Sequence, residues 1–344
     1  MRGCKYGTHR VVGENVLPQP AKKISNDMNI YDNEILIDVQ ALNIDSASFT
    51  QIEEECNHDV EKIKAKILEI VEEKGKMQNP VTGSGGMLIG TIEKIGSDLE
   101  GKIDLKVGDK IATLVSLSLT PLKIEEIVDI KSDIDRVEIE GKAILFESGI
   151  YAKLPTDMEE TLALAALDVA GAPAQTQKLV KEGQSVLILG AAGKSGMLCC
   201  YEARKKAGKT GKVIGLVINK EQADFIKEND LVDEAIIVDA QNPNAVLNKV
   251  LEVNDGKEVD LSINCVNVSN TEMSTILPVR DGGIVYFFSM ATAFTKAALG
   301  AEGVGKDVDM IIGNGYTKGH ADVTLTALRE SETLRNIFKN YTYN

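Results

Sequence analysis

The sequence predicts an α/β protein with a β-rich first half and a doubly wound parallel sheet in the second. Three observations predict it. Val186-Leu-Ile-Leu189 is a wholly apolar run, as expected of a parallel strand covered on both faces. It leads into Gly190-Ala-Ala-Gly-Lys-Ser-Gly196 and then a stretch of helical composition, Met197–Ala207. Beyond Thr156, short apolar runs alternate with amphipathic stretches, whereas the chain before it reads mainly as alternating strands.

Taken in order, Glu34–Ala41 places Ile35, Ile37 and Val39 on one face of a strand. Gly90–Gly96 and Asp104–Leu114 read as further strands. Between them, Val60, Ile63, Ile67, Ile70 and Val71 recur at helical spacing, predicting one surface helix over Ile52–Lys74 with a solvated charged face. Glu159–Leu179 is rich in Ala and Leu. The second half then gives strands at Val186–Leu189, Val213–Ile218, Ala235–Val238, Leu261–Val266 and Gly283–Phe288. Helices fall between them at Met197–Ala207, Lys220–Glu228, Pro243–Val253 and Thr271–Leu277, and Val323–Phe338 reads as a closing helix.

The glycine spacing has a chemical meaning. Gly190, Gly193 and Gly196 let the backbone turn tightly and approach a ligand, and the first N–H groups of the next helix point at that ligand. Such a helix end suits the pyrophosphate of a dinucleotide, and G-x-x-G-x-x-G is a variant of the usual fingerprint. Gly190, Ala191, Ala192, Gly193, Lys194, Ser195 and Gly196 are therefore candidate cofactor-binding residues. Asn219 and Lys220, at the end of the second strand, are candidates for the ribose end. Cys265, Val266, Ser289 and Met290 follow later strands, where the nicotinamide is expected; a small buried side chain is the other role for Cys265.

Composition narrows the classes. With 344 residues the chain exceeds one ordinary domain. No apolar run approaches the roughly 20 residues of a bilayer span. The N-terminus carries Arg2, Lys5 and Arg10 without an apolar signal region, which argues against export. The five cysteines are scattered, as for reduced thiols in the cytoplasm. A net charge of −14 argues against nucleic acid. The expected partner is a small-molecule substrate, with neither membrane nor nucleic acid involved.

Gly83-Ser-Gly-Gly-Met-Leu-Ile-Gly-Thr-Ile-Glu-Lys-Ile-Gly96, followed by Leu105-Lys-Val-Gly-Asp-Lys-Ile111, resembles the medium-chain dehydrogenase/reductase superfamily. With the Rossmann half, the resemblance covers nearly the whole chain. It implies a GroES-like β-barrel domain (1–157 with 315–344), a Rossmann domain (158–314) and an active site in the cleft between them. The zinc ligands of the alcohol dehydrogenases are missing. Ser84-Gly85 replaces their His-Glu pair, Ala41-Leu-Asn-Ile-Asp-Ser46 lacks the cysteine, and the loop of four cysteines is absent. Cys56-x-His58 is read as incidental, and no metal is expected. Asp309-Met-Ile-Ile-Gly313 is a candidate edge strand for a homodimer or homotetramer, as in relatives.

The opening Gly3-Cys-Lys-Tyr-Gly-Thr-His-Arg-Val11, Pro18-Gln-Pro20 and Leu167-Asp-Val-Ala-Gly-Ala-Pro173 resemble, more closely, the zinc-free 3,5-diaminohexanoate dehydrogenase family of anaerobic lysine fermentation. That resemblance implies NAD-linked oxidative deamination at C3, with NADP the poorer alternative. Such chemistry needs a base for the ammonium proton and partners for a second ammonium and a carboxylate. Asp45 is the first candidate base or ammonium partner, a loop cap being the alternative. Asp168 is a second, because a carboxylate in an apolar run is costly unless paired. His9 is either a proton shuttle or part of a surface strand. Arg10, Lys5, Tyr6 and Ser46 are candidate substrate contacts, and His320 is read as structural. The alternatives are a zinc-free quinone or enone reductase and a non-enzymatic dinucleotide-binding redox sensor.

Overall fold

The structure is a computed structural model describing residues 1–313 and 315–341. The chain divides into two compact units, Met1–Asp157 and Met158–Asn344.

The first unit contains β1 (Glu34–Asn43), α1 (Ser46–Glu55), α2 (Val60–Lys74), β2 (Met87–Ile95), β3 (Lys110–Thr113), β4 (Leu122–Lys131), β5 (Arg136–Phe146) and β6 (Tyr151–Lys153). Its six strands form one antiparallel sheet in the order β4-β5-β1-β2-β3-β6. Ile35, Ile37 and Val39 face the core as expected, beside Ile63, Ile67 and Ile70 of α2 and Phe49 and Ile52 of α1. The helix expected over Ile52–Lys74 is two. Asn57 and His58 both take positive φ, and Asp59 caps α2 by accepting from the N–H groups of Glu61 and Lys62. The strand expected over Asp104–Leu114 shortens to β3, because a turn at Val107–Asp109 with Gly108 at φ 91° precedes it.

The second unit contains α3 (Glu160–Leu167), α4 (Gly171–Leu179), β7 (Ser185–Leu189), α5 (Lys194–Ala207), β8 (Lys212–Val217), α6 (Lys220–Glu228), β9 (Glu234–Ile237), α7 (Pro243–Val253), β10 (Val259–Asn264), α8 (Glu272–Ile276), β11 (Val279–Phe287), α9 (Phe294–Val304), β12 (Val308–Ile312), α10 (His320–Glu330) and α11 (Glu332–Tyr341). All six strands run parallel in the order β12-β11-β10-β7-β8-β9. Counted from β7 this is 3-2-1-4-5-6, which reverses direction between β7 and β10. The apolar β7 explains itself here. Val186 and Ile188 enter the core with α5, while Leu187 and Leu189 enter the core on the opposite face with Val246 and Val250 of α7. Burying each such side chain contributes about 1.5–3 kcal/mol.

Of residues 315–344, expected with the first domain, the described ones, 315–341, belong to the second unit. Ala327, Leu328, Leu334, Ile337 and Phe338 are buried in the core shared with α3, α4 and α5. The closing helix is likewise two, broken at Ser331 between α10 and α11. No helix among the described residues is long and apolar enough to cross a membrane.

Candidate functional site

The glycine-rich turn is built as its spacing requires. Gly190 takes φ 79°, and the N–H groups of Gly190 and Ala191 both reach the Leu216 carbonyl at 3.1 Å. A Cβ on Gly190 would stand 3.1 Å from Val266 Cγ2 and 3.2 Å from the Cys265 carbonyl carbon, so the turn lies against the segment leaving β10. A Cβ on Gly196 would stand 2.1 Å from the Gly190 carbonyl oxygen, which only glycine permits. Lys194, Ser195 and Gly196 then open α5, where the first N–H groups have no intrahelical partner and favour an anion. Ala192 and Gly193 complete the turn, and Gly193 is exposed.

The later strands supply the rest of this edge. The Cys265 N–H reaches the Leu189 carbonyl at 3.0 Å, and its Sγ lies 3.9 Å from Cys199 Sγ. That neighbouring thiol, together with burial, pushes the Cys265 thiol well above its ordinary range, so it stays protonated. Asn264 organises the surrounding loops. Its Nδ2 donates to the hydroxyls of Thr271 and Thr275, and its Oδ1 accepts from Val266 N–H. Its carbonyl accepts from the N–H groups of Phe288 and Ser289, both at 3.1 Å. Ser289 is buried and its Oγ accepts from Ala291 N–H, while Met290 is exposed. Thr292 Oγ1 is buried without a hydrogen-bond partner. Reading the sequence missed Asn264, although a polar residue ending a buried parallel strand was the available signal.

At the end expected to hold the ribose, β8 stops at Val217 and offers no acid. Asn219 caps α6, its Oδ1 accepting from Gln222 N–H at 2.9 Å. Lys220 is exposed and paired with Asp224 at 2.6 Å.

In the first unit, the end of β1 carries a second group of polar residues. Asp45 does cap α1, its Oδ1 accepting from Ser48 N–H at 3.1 Å. Its other oxygen, Oδ2, is buried without a partner, and so is Asn43 Oδ1. Capping and a free acceptor therefore coexist in one carboxylate. The Gly83–Gly86 loop closes on this strand end. With Gly86 at φ 95°, a Cβ there would stand 2.0 Å from the Asn43 carbonyl oxygen and 2.8 Å from Asp45 N. A Cβ on Gly85 would stand 2.3 Å from the Met77 carbonyl oxygen. Thr82 in the same loop bonds Ser48 Oγ at 2.5 Å. Ser46 is exposed and donates to Asp135, so its hydroxyl is engaged away from Asp45. Among the described residues no group of three His, Cys, Asp or Glu could hold a metal ion.

The N-terminal candidates are assembled differently from the expectation. Arg10 is buried and grips Glu34 with two bonds, Nε to Oε1 at 2.8 Å and Nη2 to Oε2 at 2.6 Å. Its remaining donors serve the carbonyls of Asp27 and Asn29. His9 accepts from Cys4 N–H at Nδ1, which leaves Nε2 to donate to Glu34 Oε1 at 2.8 Å. Both side chains are thus committed to a buried clasp and are removed as a substrate clamp and proton shuttle. Lys5 and Tyr6 are exposed, with the Lys5 Nζ 4.7 Å from the Tyr6 ring centroid. Asp168 is exposed at the C-terminal cap of α3, so its carboxylate is solvated and the expected cost of burial does not arise. His320 is buried against Tyr316, and burial lowers its pKa, in keeping with a structural role.

Glu34 gives a stability prediction. Burial pushes its carboxyl up, but the bonds from Arg10, Tyr31 N–H and His9 outweigh this and hold it below its usual range. Its stabilisation is therefore complete above about pH 4.5 and is lost as pH falls through the lowered folded value. Glu34→Gln strands the buried guanidinium and should cost about 3 kcal/mol in urea unfolding near neutral pH. An unchanged midpoint would show the clasp to be dispensable.

Comparison with known proteins adds what the geometry alone does not name. Residues 9–155 match the model of the L-erythro-3,5-diaminohexanoate dehydrogenase N-terminal domain. A curated relative of that name from Acetoanaerobium sticklandii is 77% identical over 340 residues, covering 98% of this chain and 99% of its own. Another from Fusobacterium nucleatum subsp. nucleatum is 74% identical over 339 residues, covering 98% of each. Among solved structures, 2-haloacrylate reductase aligns with TM-score 0.56 at 15% identity, over 91% of this chain and 88% of that one. A mycobacterial protein complexed with NADPH aligns with TM-score 0.52 at 16% identity, over 91% and 82%. These likenesses carry the medium-chain dehydrogenase/reductase fold, a GroES-like unit joined to a Rossmann unit. On the strength of the near-full-length identities, the chain belongs to the L-erythro-3,5-diaminohexanoate dehydrogenase family.

Proposed function

We propose that the protein is an amine dehydrogenase that oxidatively deaminates L-erythro-3,5-diaminohexanoate at C3, giving 5-amino-3-oxohexanoate, ammonia and NADH. The observation that carries this reading is the 77% and 74% identity, end to end, to dehydrogenases of that name. The balance is one ammonium substrate, one NAD and one water giving ketone, ammonium ion, NADH and one proton.

NAD, when bound, accepts the hydride. The residues that suit its pyrophosphate are Gly190–Gly196, with Cys265, Val266, Ser289 and Met290 along the same edge of the sheet. NAD is favoured over NADP because Lys220, the cation nearest the end of β8, is already neutralised by Asp224. A solved neighbour holding NADPH supports the nicotinamide class. Asp45 is the proton acceptor in this reading. Its Oδ1 is tied to the α1 N-terminus, and Oδ2 is left to take the C3 ammonium proton before hydride leaves. With Ser84-Gly85 in place of a His-Glu pair, the reaction runs without zinc. We also infer a homodimer or homotetramer joined through β12, the outer strand of its sheet, whose Ile312 is exposed. Five free thiols suit a reducing compartment such as the cytoplasm.

Mixing the purified protein with NAD and the diamino acid should raise NADH absorbance and release ammonia in equal amounts. Neither product, together with oxidation of NADPH by quinones, would overturn the assignment. Light scattering in solution tests the oligomer.

A further inference from the structure

Two buried oxygens at the end of β1, Asn43 Oδ1 and Asp45 Oδ2, each lack a donor. Leaving such an acceptor unmet costs about 1–3 kcal/mol, so two in one place call for a reason. Residues i and i+2 of an extended chain point to the same side, and Asp45, at φ −62° and ψ 143°, continues the extended backbone of β1. The groups that could have met them are occupied. Arg136, opposite Asn43 in the β1–β5 register, is bonded to Glu138 at 2.9 Å. Ile44 N–H is given to the Asp135 carbonyl, and Ser46 Oγ donates to the Asp135 carboxylate. Gly86 packs its backbone against Asn43 and Asp45 without adding a side chain.

Two unmet acceptors at one strand end suit a ligand rich in N–H. We propose that Asn43 is an amine-specificity residue, its Oδ1 accepting an N–H of the C3 nitrogen while Asp45 Oδ2 takes that nitrogen's proton. The inference rests on the amine dehydrogenase reading and deepens it. A C3 ammonium that gives one proton to Asp45 still has two N–H donors, one of which meets Asn43. A C3 hydroxyl gives its single proton to Asp45 and then turns only lone pairs toward Asn43 Oδ1, which repels them. Asn43 therefore favours the amine over the alcohol of the same shape.

The test compares 3,5-diaminohexanoate as substrate with 5-amino-3-hydroxyhexanoate as competitive inhibitor, using full-length wild-type protein, Asn43→Leu and Asn43→Asp. Wild-type turnover of the diamine is read first; if it is absent, the functional assignment fails and Asn43 is not the cause. With it present, Asn43→Leu should lower kcat/KM for the diamine about 10–100-fold. The inhibition constant of the hydroxy compound should stay the same or tighten, with NAD affinity within about twofold. Asn43→Asp, which keeps an acceptor, should retain the amine preference. Equal losses for diamine and hydroxy compound, or wild-type kcat/KM in the leucine variant, would overturn the proposal. If Asn43→Leu does not fold, Asn43→Ala gives the same readout.

Discussion

Asp45→Asn should fall in kcat by about 10²–10⁴-fold while its melting temperature and NAD affinity stay close to wild type. The separation follows from the two jobs of one carboxylate. Asparagine caps helices as well as aspartate does, so the bond from Ser48 N–H to Oδ1 survives and α1 keeps its start. What disappears is the negative oxygen at the Oδ2 position, replaced in one amide rotamer by an N–H₂ that meets the substrate nitrogen donor to donor. The proposed cofactor residues Gly190–Gly196 lie in the other unit and are untouched. Steady-state kinetics with the diamine, NADH titration and thermal unfolding read the three quantities separately. Turnover within about threefold of wild type would remove Asp45 as the proton acceptor.

Gly196→Ala and Gly193→Ala should behave differently although both glycines belong to the same motif. At Gly196 the new methyl would stand 2.1 Å from the Gly190 carbonyl oxygen and 2.8 Å from Ala191 Cα, both backbone atoms of a turn bonded to Leu216. Neither can rotate away, so α5 must pull back from β7, at a cost of about 3 kcal/mol and with at least roughly tenfold weaker NADH binding. At Gly193 the backbone is ordinary, φ −80°, and the nearest atom to a new Cβ is 3.5 Å away. That variant should fold within about 1 kcal/mol of wild type. It should still bind NADH roughly tenfold less well, because the methyl occupies the face proposed for the pyrophosphate. Equal melting temperatures for the two variants would show that the close approach at Gly196 is not what the third glycine is for.

How far the molecule was legible depended on the range of the interactions that decide each part. The parallel sheet was legible because Val186–Leu189 is covered on both faces and leaves an unbroken apolar run. Strands β4 and β5 were not read at all. In Leu122–Lys131 the charges of an exposed face interrupt the alternation, and pairing with β5 holds the strand. The break at Asn57–His58 was hidden because apolar spacing continues across it, and only the two left-handed residues reveal it. The helices α10 and α11 were legible as helical, but not their allegiance. Leu328, Leu334 and Phe338 find their core beside α3 and α5, and no local pattern records which core an apolar face will meet.

The same division runs through the site. From its sequence alone this protein has a dinucleotide-type turn, because glycine spacing, the strand before and the helix after are local and steric. The substitution of Ser84-Gly85 for zinc ligands, and Asp45 as a carboxylate at a strand end, were equally local facts. Tertiary structure decided which polar groups are spent and which are free. His9 and Arg10 looked chemically suited, yet Glu34, 24 residues beyond Arg10, takes both of them. Asp168 looked buried and is solvated, because the helix phase at the end of α3 turns it outward. Asn43 drew no notice, yet its Oδ1 stands unmet, as does Oδ2 of Asp45 two residues on. A hydrogen bond is completed by whatever the fold brings near, so the count of unmet acceptors exists only once the chain has closed on itself.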